Sequence, residues 1–212
     1  MTITEVRPRR RSLYRLWLDG EEGPEVDRRT FDESLYSVGG GITQAQLDAL
    51  LQTSQYNRTR DRALYLLGLR DYACGELEKK LAMDAPPEVA AAVVARLQEL
   101  GLLDDEQYAA RTAASLQRYK QYPKGRVEQE LRRRGVDPAV ARAAAEDLPG
   151  EDFEQALALI RKKYYNKLHD ENSRRRVVAA LARRGFSYGA VRRAMEACGD
   201  ESDDEELENT WL

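Results

Sequence analysis

Apolar positions recur at helical spacing along most of this chain, and one stretch of the pattern is used twice. Residues 125–136 read GRVEQELRRRGV, and residues 175–186 read RRVVAALARRGF. Val127 and Val177, Leu131 and Leu181, and Gly135 and Gly185 stand 50 positions apart. A fainter copy lies upstream, where Leu77 and Leu81 precede Val127 and Leu131 by the same 50, with Ala85 in place of the glycine. Self-similarity at a fixed period marks a repeated supersecondary unit. Each copy predicts a short helix with apolar residues at i and i+4, ended by a glycine in the left-handed conformation. Arginines in the last turn complement the negative end of the helix dipole. A new helix start follows each stop. Asp137-Pro138 pairs a cap with a proline at the first helical position, and Ser187 is a second cap. Val140, Ala144 and Leu148 continue one apolar face, as do Val191 and Met195 in the later copy.

The N-terminal residues follow a different period. Tyr14 to Leu18 alternates with period 2 and ends at Asp19-Gly20, a turn signal. Ile3 to Val6 and Glu25 to Asp27 are its expected partners, giving a hairpin or three-stranded sheet with Arg9-Arg10-Arg11 as a charged turn. Thr30 to Tyr36 predicts a short helix, and Gly39-Gly40-Gly41 breaks the chain. Thr43 caps a helix carrying Leu47, Leu50 and Leu51. The polar stretch Gln52 to Thr59 is the expected domain boundary.

Three units of about 45 residues follow. The first is marked by Ala63, Leu64 and Leu67, then Glu76 to Leu81, then a helix opened by Pro86-Pro87 and closed by Gly101. Asp104 or Asp105 caps the opening helix of the second, which carries Tyr108, Ala109, Leu116 and Tyr119. Phe153, Leu157, Ile160 and Tyr164 open the third, with Asn172-Ser173 as the cap of its second helix. The predicted fold is therefore mainly α. Three tandem three-helix repeats (59–104, 105–150, 151–199) form an elongated array behind a β-hairpin and helix region (1–58). An acidic tail (200–212) has almost no apolar content and is expected to be disordered.

Charge sharpens this division. The net charge of −3 hides +8 on residues 106–199, from 20 basic and 12 acidic groups, against −7 on residues 200–212. A body so charged suits a polyanionic partner, although arginine also covers long solvated helices. The acidic tail is then expected to compete with that partner for the body. Trp211-Leu212 at its end has no evident role.

No chemistry of an enzyme emerges. His169 stands alone in a polar loop. Gly39-Gly40-Gly41 lacks the lysine and hydroxyl of a phosphate-binding loop. Asp104-Asp105 sits where a helix cap belongs. Cys74 and Cys198 lack metal-ligand spacing and read as buried small hydrophobes in a reducing compartment. Neither a membrane-length apolar run nor a signal-peptide core is present, so a cytoplasmic location without cofactor or metal is expected.

Four motifs in order resemble the RecX regulatory proteins. Leu97-x-x-x-Gly101-Leu102-Leu103-Asp104-Asp105-x-x-Tyr108-Ala109 is similar to the family's central signature. Ala63-Leu64 with Arg70, Tyr72 and Glu76-Leu77-x-x-Lys80-Leu81 resembles its first repeat. Lys124-Gly125-x-x-x-x-Glu130-Leu131-x-x-Arg134-Gly135-Val136 resembles the second, and Leu181-x-Arg183-Arg184-Gly185-Phe186 the third. The likeness covers roughly residues 60–198. The N-terminal strands resemble an extension found in some members, and the acidic tail lies outside the pattern. The resemblance implies a non-enzymatic protein of tandem three-helix units. It would bind the RecA recombinase filament on single-stranded DNA and suppress its ATPase and strand exchange, in homologous recombination, DNA repair and the SOS response.

On that reading the contacts are basic side chains of repeats two and three: Lys120, Lys124, Arg126, Arg132, Arg133, Arg174, Arg175, Arg176 and Arg183. A wheel set by Val127 and Leu131 turns Arg132 and Arg133 away from the core, with Arg183 at the position of Arg133. Arg134 and Arg184 fall nearer the core edge. The alternative is a direct DNA-binding module, single- or double-stranded, since short helices joined by glycine turns imitate helix-turn-helix units. Few Asn or Gln base-readers stand beside those arginines, which argues against sequence-specific reading.

Overall fold

Three strands, β1 (Ile3–Arg9), β2 (Leu13–Leu18) and β3 (Glu21–Asp27), form an antiparallel sheet in the order β1-β2-β3. This is the computed structural model of the chain, and it describes residues 1–10, 12–168 and 170–208. Arg11, His169 and Trp211-Leu212, each singled out in the sequence, lie outside the described residues. The tight β2–β3 connection uses Asp19 and Gly20, both at positive φ, as the turn signal required. Ten α-helices follow among the described residues, and the chain divides into two compact units, Met1–Asp104 and the part from Asp105 onward. No described helix is long and apolar enough to cross a membrane.

In the first unit, α1 (Arg28–Asp32) is capped by Asp27, whose side chain accepts from Thr30 N–H. The helix thus starts two residues before the expected Thr30, because Asp27 is the better capping group. The next helix, α2 (Gln44–Leu69), opens with a capping box in which Thr43 and Gln46 satisfy each other's backbone N–H. It runs unbroken through Gln52 to Thr59, so the boundary expected there is not a break in the chain. The polar residues instead fasten the helix to what precedes it. Ser54 Oγ accepts from Asp27 N–H at 2.6 Å, and Asn57 Nδ2 donates to Thr30 Oγ1 at 3.0 Å. Thr59 Oγ1 donates to the Gln55 carbonyl at 2.8 Å. Ser54 and Thr59 are buried, and burial of hydroxyls demands such partners.

α2 therefore serves two cores. Its first half packs with Ile3, Leu16, Val26, Phe31 and Ile42. Its second half, through Ala63 and Leu66, joins α3 (Cys74–Leu81) and α4 (Pro87–Glu99) around Leu77, Leu81, Val93 and Leu97. α4 ends at Gly101, with Leu103 folded back into the same core.

The second unit holds two three-helix repeats. The first comprises α5 (Asp105–Lys120), α6 (Lys124–Arg133) and α7 (Pro138–Glu146). The second comprises α8 (Asp152–Lys163), a 3-10 turn at Tyr165–Lys167, α9 (Glu171–Arg183) and α10 (Tyr188–Glu208). The apolar residues that carry the repeat are its most buried: Val127, Leu131 and Leu181 are fully inaccessible and Val177 nearly so. On α7 the buried positions are Ala141 and Ala145, while Val140 and Ala144 are only half-buried. The helix presents a face one position round from the expected one. α9 begins earlier than Asn172-Ser173, because Asp170 is its cap and accepts from Ser173 N–H at 2.9 Å. A carboxylate there also meets the positive end of the helix dipole. Ser187 accepts from Ala190 N–H as expected. Residues 200–208, expected to be disordered, continue α10 as helix. Extension of an existing helix needs no new nucleus, and glutamate is a good helix former.

Candidate partner interface

The nine basic residues picked from the sequence divide into those the fold employs and those it leaves to solvent. Lys124 is employed. Its backbone N–H donates to Asp152 Oδ1 at 3.0 Å, and its ammonium donates to the Glu146 carbonyl at 3.0 Å. It therefore ties α6 to α7 and α8, a use that sequence spacing does not disclose. Arg126 is half-buried. Its stem lies against Gly185, where a Cβ would stand 2.8 Å from the Arg126 Cβ. Gly185 also has a φ of +95°. The glycine of the repeat thus has two duties there: the left-handed helix end and a close approach of α9 to α6. The Arg126 guanidinium and the exposed Lys120 ammonium each stand 5.6 Å from the Tyr122 ring centroid. Arg174 Nε donates to the Leu168 carbonyl at 2.8 Å and secures the turn before α9.

Repeat two clamps its helix-end arginines. Glu130 is the one buried carboxylate among the described residues. Its oxygens accept from Arg133 Nε and Nη2 at 3.0 and 2.8 Å and from Arg134 Nε at 3.2 Å. Arg133 keeps 74% of its side-chain surface exposed, against 35% for Arg134. Arg134 also hydrogen-bonds Tyr108, the main reason its guanidinium is held above its ordinary range. The Arg133 hydrogen bonds draw the Glu130 carboxyl down to about 2; burial opposes this and the Arg134 bond adds to it. Arg132, on the outer face, leans on Glu128 at 3.5 Å.

Repeat three lacks that clamp. The residue 50 after Glu130 is Ala180. Arg183, at the position of Arg133, is exposed and has no ion pair or hydrogen bond among the described residues, and the same holds for Arg176. Arg175 pairs with Glu171 at 3.1 Å across one helical turn, with both side chains well exposed. Exposed pairs of this kind are worth little and exchange readily for a partner's charge. The outer faces of α6 and α9 thus present Arg132, Arg133, Arg175, Arg176 and Arg183. Lys124 and Arg174 belong to the scaffold.

Two features escaped the sequence reading. The Glu130 clamp was legible only as a carboxylate three and four residues before two arginines, on the apolar side of the helix. The other is a cleft of about 300 Å³ within the second unit, lined by Gln117, Arg118 and Gln121 of the α5 end, by α8, and by Phe186. Among the described residues no group of three His, Cys, Asp or Glu is placed to hold a metal ion.

Comparison with known proteins matches two segments of the chain to three-helix domains. Residues 104–144 match the family model described as RecX, second three-helix domain, and residues 150–195 match RecX, third three-helix domain. The chain is similar to the Regulatory protein RecX of Trichlorobacter lovleyi, 36% identical over 140 residues, covering 63% of this chain and 91% of that one. It is 25% identical over 210 residues to the Regulatory protein RecX of Streptococcus sanguinis, covering 97% of this chain and 80% of the relative. Among solved structures, a crystal structure of regulatory protein RecX superposes with a TM-score of 0.65 at 22% identity, covering 92% of this chain and 98% of that one. The RecX of Lactobacillus salivarius gives 0.61 at 20% identity, covering 69% and 98%. These last two likenesses speak for the fold.

Proposed function

The chain belongs to the RecX family of regulatory proteins, and on that premise we propose that it binds the RecA filament on single-stranded DNA and restrains its ATPase and strand exchange. The observation that carries this reading is the set of cations on the outer faces of α6 and α9, with Arg133 and Arg183 at one register of the repeat. α6 and α9 bury equivalent faces through Val127, Leu131, Val177 and Leu181 and expose Arg132, Arg133, Arg175, Arg176 and Arg183. A basic surface carried on successive repeats suits an extended polyanionic partner. Regulation of homologous recombination and DNA repair, with the SOS response, follows from that partner, and the cytoplasm is its place of action. The protein acts by occupancy, without a reaction of its own.

The test is capture of the protein by RecA filaments assembled on an immobilised oligonucleotide with a non-hydrolysable ATP analogue. Reversal of Arg176 and Arg183 to Glu should cut affinity by about tenfold or more while the fold is kept, since neither makes an ion pair or hydrogen bond among the described residues and Arg176 has only the through-space attraction of Asp170. Unchanged capture by that variant would refute the assignment of this surface. Direct DNA binding is the alternative, favoured by the cations set against Tyr119 and Tyr122. It would show as equal binding to bare oligonucleotide, lost steeply as salt rises.

A further inference from the structure

The cleft between α5 and α8 is not used by the outer basic faces. Its apolar lining is Ala158, which is exposed, with the buried Leu159 and Phe186. Arg118 on α5 and Lys162 on α8 are its two cations, and no aspartate or glutamate lines it. Lys162 makes no ion pair among the described residues, and Arg118 has only the Tyr119 ring, 5.5 Å away. Three glutamines complete the lining. Gln117 spends an amide N–H on the Pro149 carbonyl at 3.0 Å. The side chains of Gln121 and Gln155 make no hydrogen bond among the described residues, so each offers donors and an acceptor.

Gln121 sharpens the point. It closes α5 with a φ of +52°, a conformation the chain elsewhere gives to Gly101, Gly135 and Gly185 at helix ends. Its N–H donates to the Gln117 carbonyl, and Tyr122 N–H reaches Leu116. Glycine would make the same turn without the steric cost of a side chain at positive φ. A long polar residue held there, with its amide in a cleft, is backbone strain joined to a site.

We propose that this cleft receives an acidic peptide segment of the protein partner. One small apolar side chain covers the exposed Ala158, neighbouring carboxylates meet Arg118 and Lys162, and the peptide backbone pairs with Gln121 and Gln155. The inference rests on the reading that the partner is the recombinase filament. A volume of about 300 Å³ is at the small end of ligand pockets and fits one or two side chains. A nucleotide suits it less well. The one ring in its lining, Phe186, is 4% exposed and offers no open face for a base to stack on.

The experiment places p-benzoylphenylalanine at Gln155 in the full chain and irradiates it on RecA filaments assembled on single-stranded DNA. The expected adduct is a recombinase peptide with Asp or Glu beside an apolar residue. An adduct to the DNA strand overturns the proposal in favour of a nucleotide. No adduct, while the substituted chain still binds the filament, overturns it as well and leaves the outer-face reading standing. Failure of the unsubstituted chain to bind overturns both. As a second arm, Gln121→Gly should keep or raise the unfolding midpoint while filament affinity falls by about tenfold, and Arg118→Glu with Lys162→Glu should lose more. Undiminished affinity in both variants would also reject the cleft.

Discussion

Glu130→Gln removes the charge that holds the end of α6 together, and its cost can be worked from the site. The carboxyl is drawn from its ordinary 4.5 to about 2 by hydrogen bonds from Arg133 and Arg134. At about 1.4 kcal/mol per pKa unit, that fall corresponds to roughly 3 kcal/mol of preference for the ionised form in the folded protein. Arg133 faces solvent, which screens its share, so the expected loss is about 2 kcal/mol at neutral pH. Because the folded value is depressed, this stabilisation is complete above the unfolded value near 4.5 and disappears as pH falls toward 2. Urea unfolding of the wild type and the variant, followed by circular dichroism from pH 7 to pH 2.5, measures it. The two stabilities should differ most at neutral pH and converge under acid. Equal stabilities at pH 7, or a gap that persists unchanged at the acid end, would refute the clamp.

Other positions test the rest of the fold. Gly185→Ala combines a left-handed φ with a Cβ pressed on Arg126, so it should cost about 1–3 kcal/mol by chemical denaturation. Ser54→Ala strips Asp27 N–H of its acceptor and should cost about 1–2 kcal/mol, a loss expected of an anchor and not of a linker residue. Leu181→Ala, at a fully buried position, should cost about 2–5 kcal/mol, whereas Arg183→Ala should leave the unfolding midpoint within about 0.5 kcal/mol of wild type. A chain ending at Gly199 should bind filament or DNA more tightly at low salt if the acidic segment competes for the basic body; no change at low salt would reject that competition.

The repeat was legible because burial and periodicity are local properties. Val127, Leu131, Val177 and Leu181 announce one inward face, and Gly135 and Gly185 announce helix ends. The strands at Tyr14 to Leu18 and their turn at Asp19-Gly20 were legible for the same reason. What failed to show were pairings between elements. Gln52 to Thr59 reads as a domain boundary until Asp27 and Thr30 are seen to use its hydroxyl and amide groups. Lys124 and Arg174 read as free cations until the carbonyls of Glu146 and Leu168 are found beside them. The cleft is more hidden still, since Gln117, Gln121 and Gln155 gain meaning only when the end of α5 and α8 are found lining one cleft. Arg183 is left to solvent for a reason already in the chain: Ala180 stands where a second clamping glutamate would be.

The central claim meets its most direct test in the single-stranded-DNA-dependent ATPase of the cognate RecA, titrated with this protein. Inhibition well below one copy per RecA monomer, weakened in the Arg176→Glu and Arg183→Glu variant, is the predicted result. An ATPase rate that stays constant up to a molar excess of folded protein would contradict it.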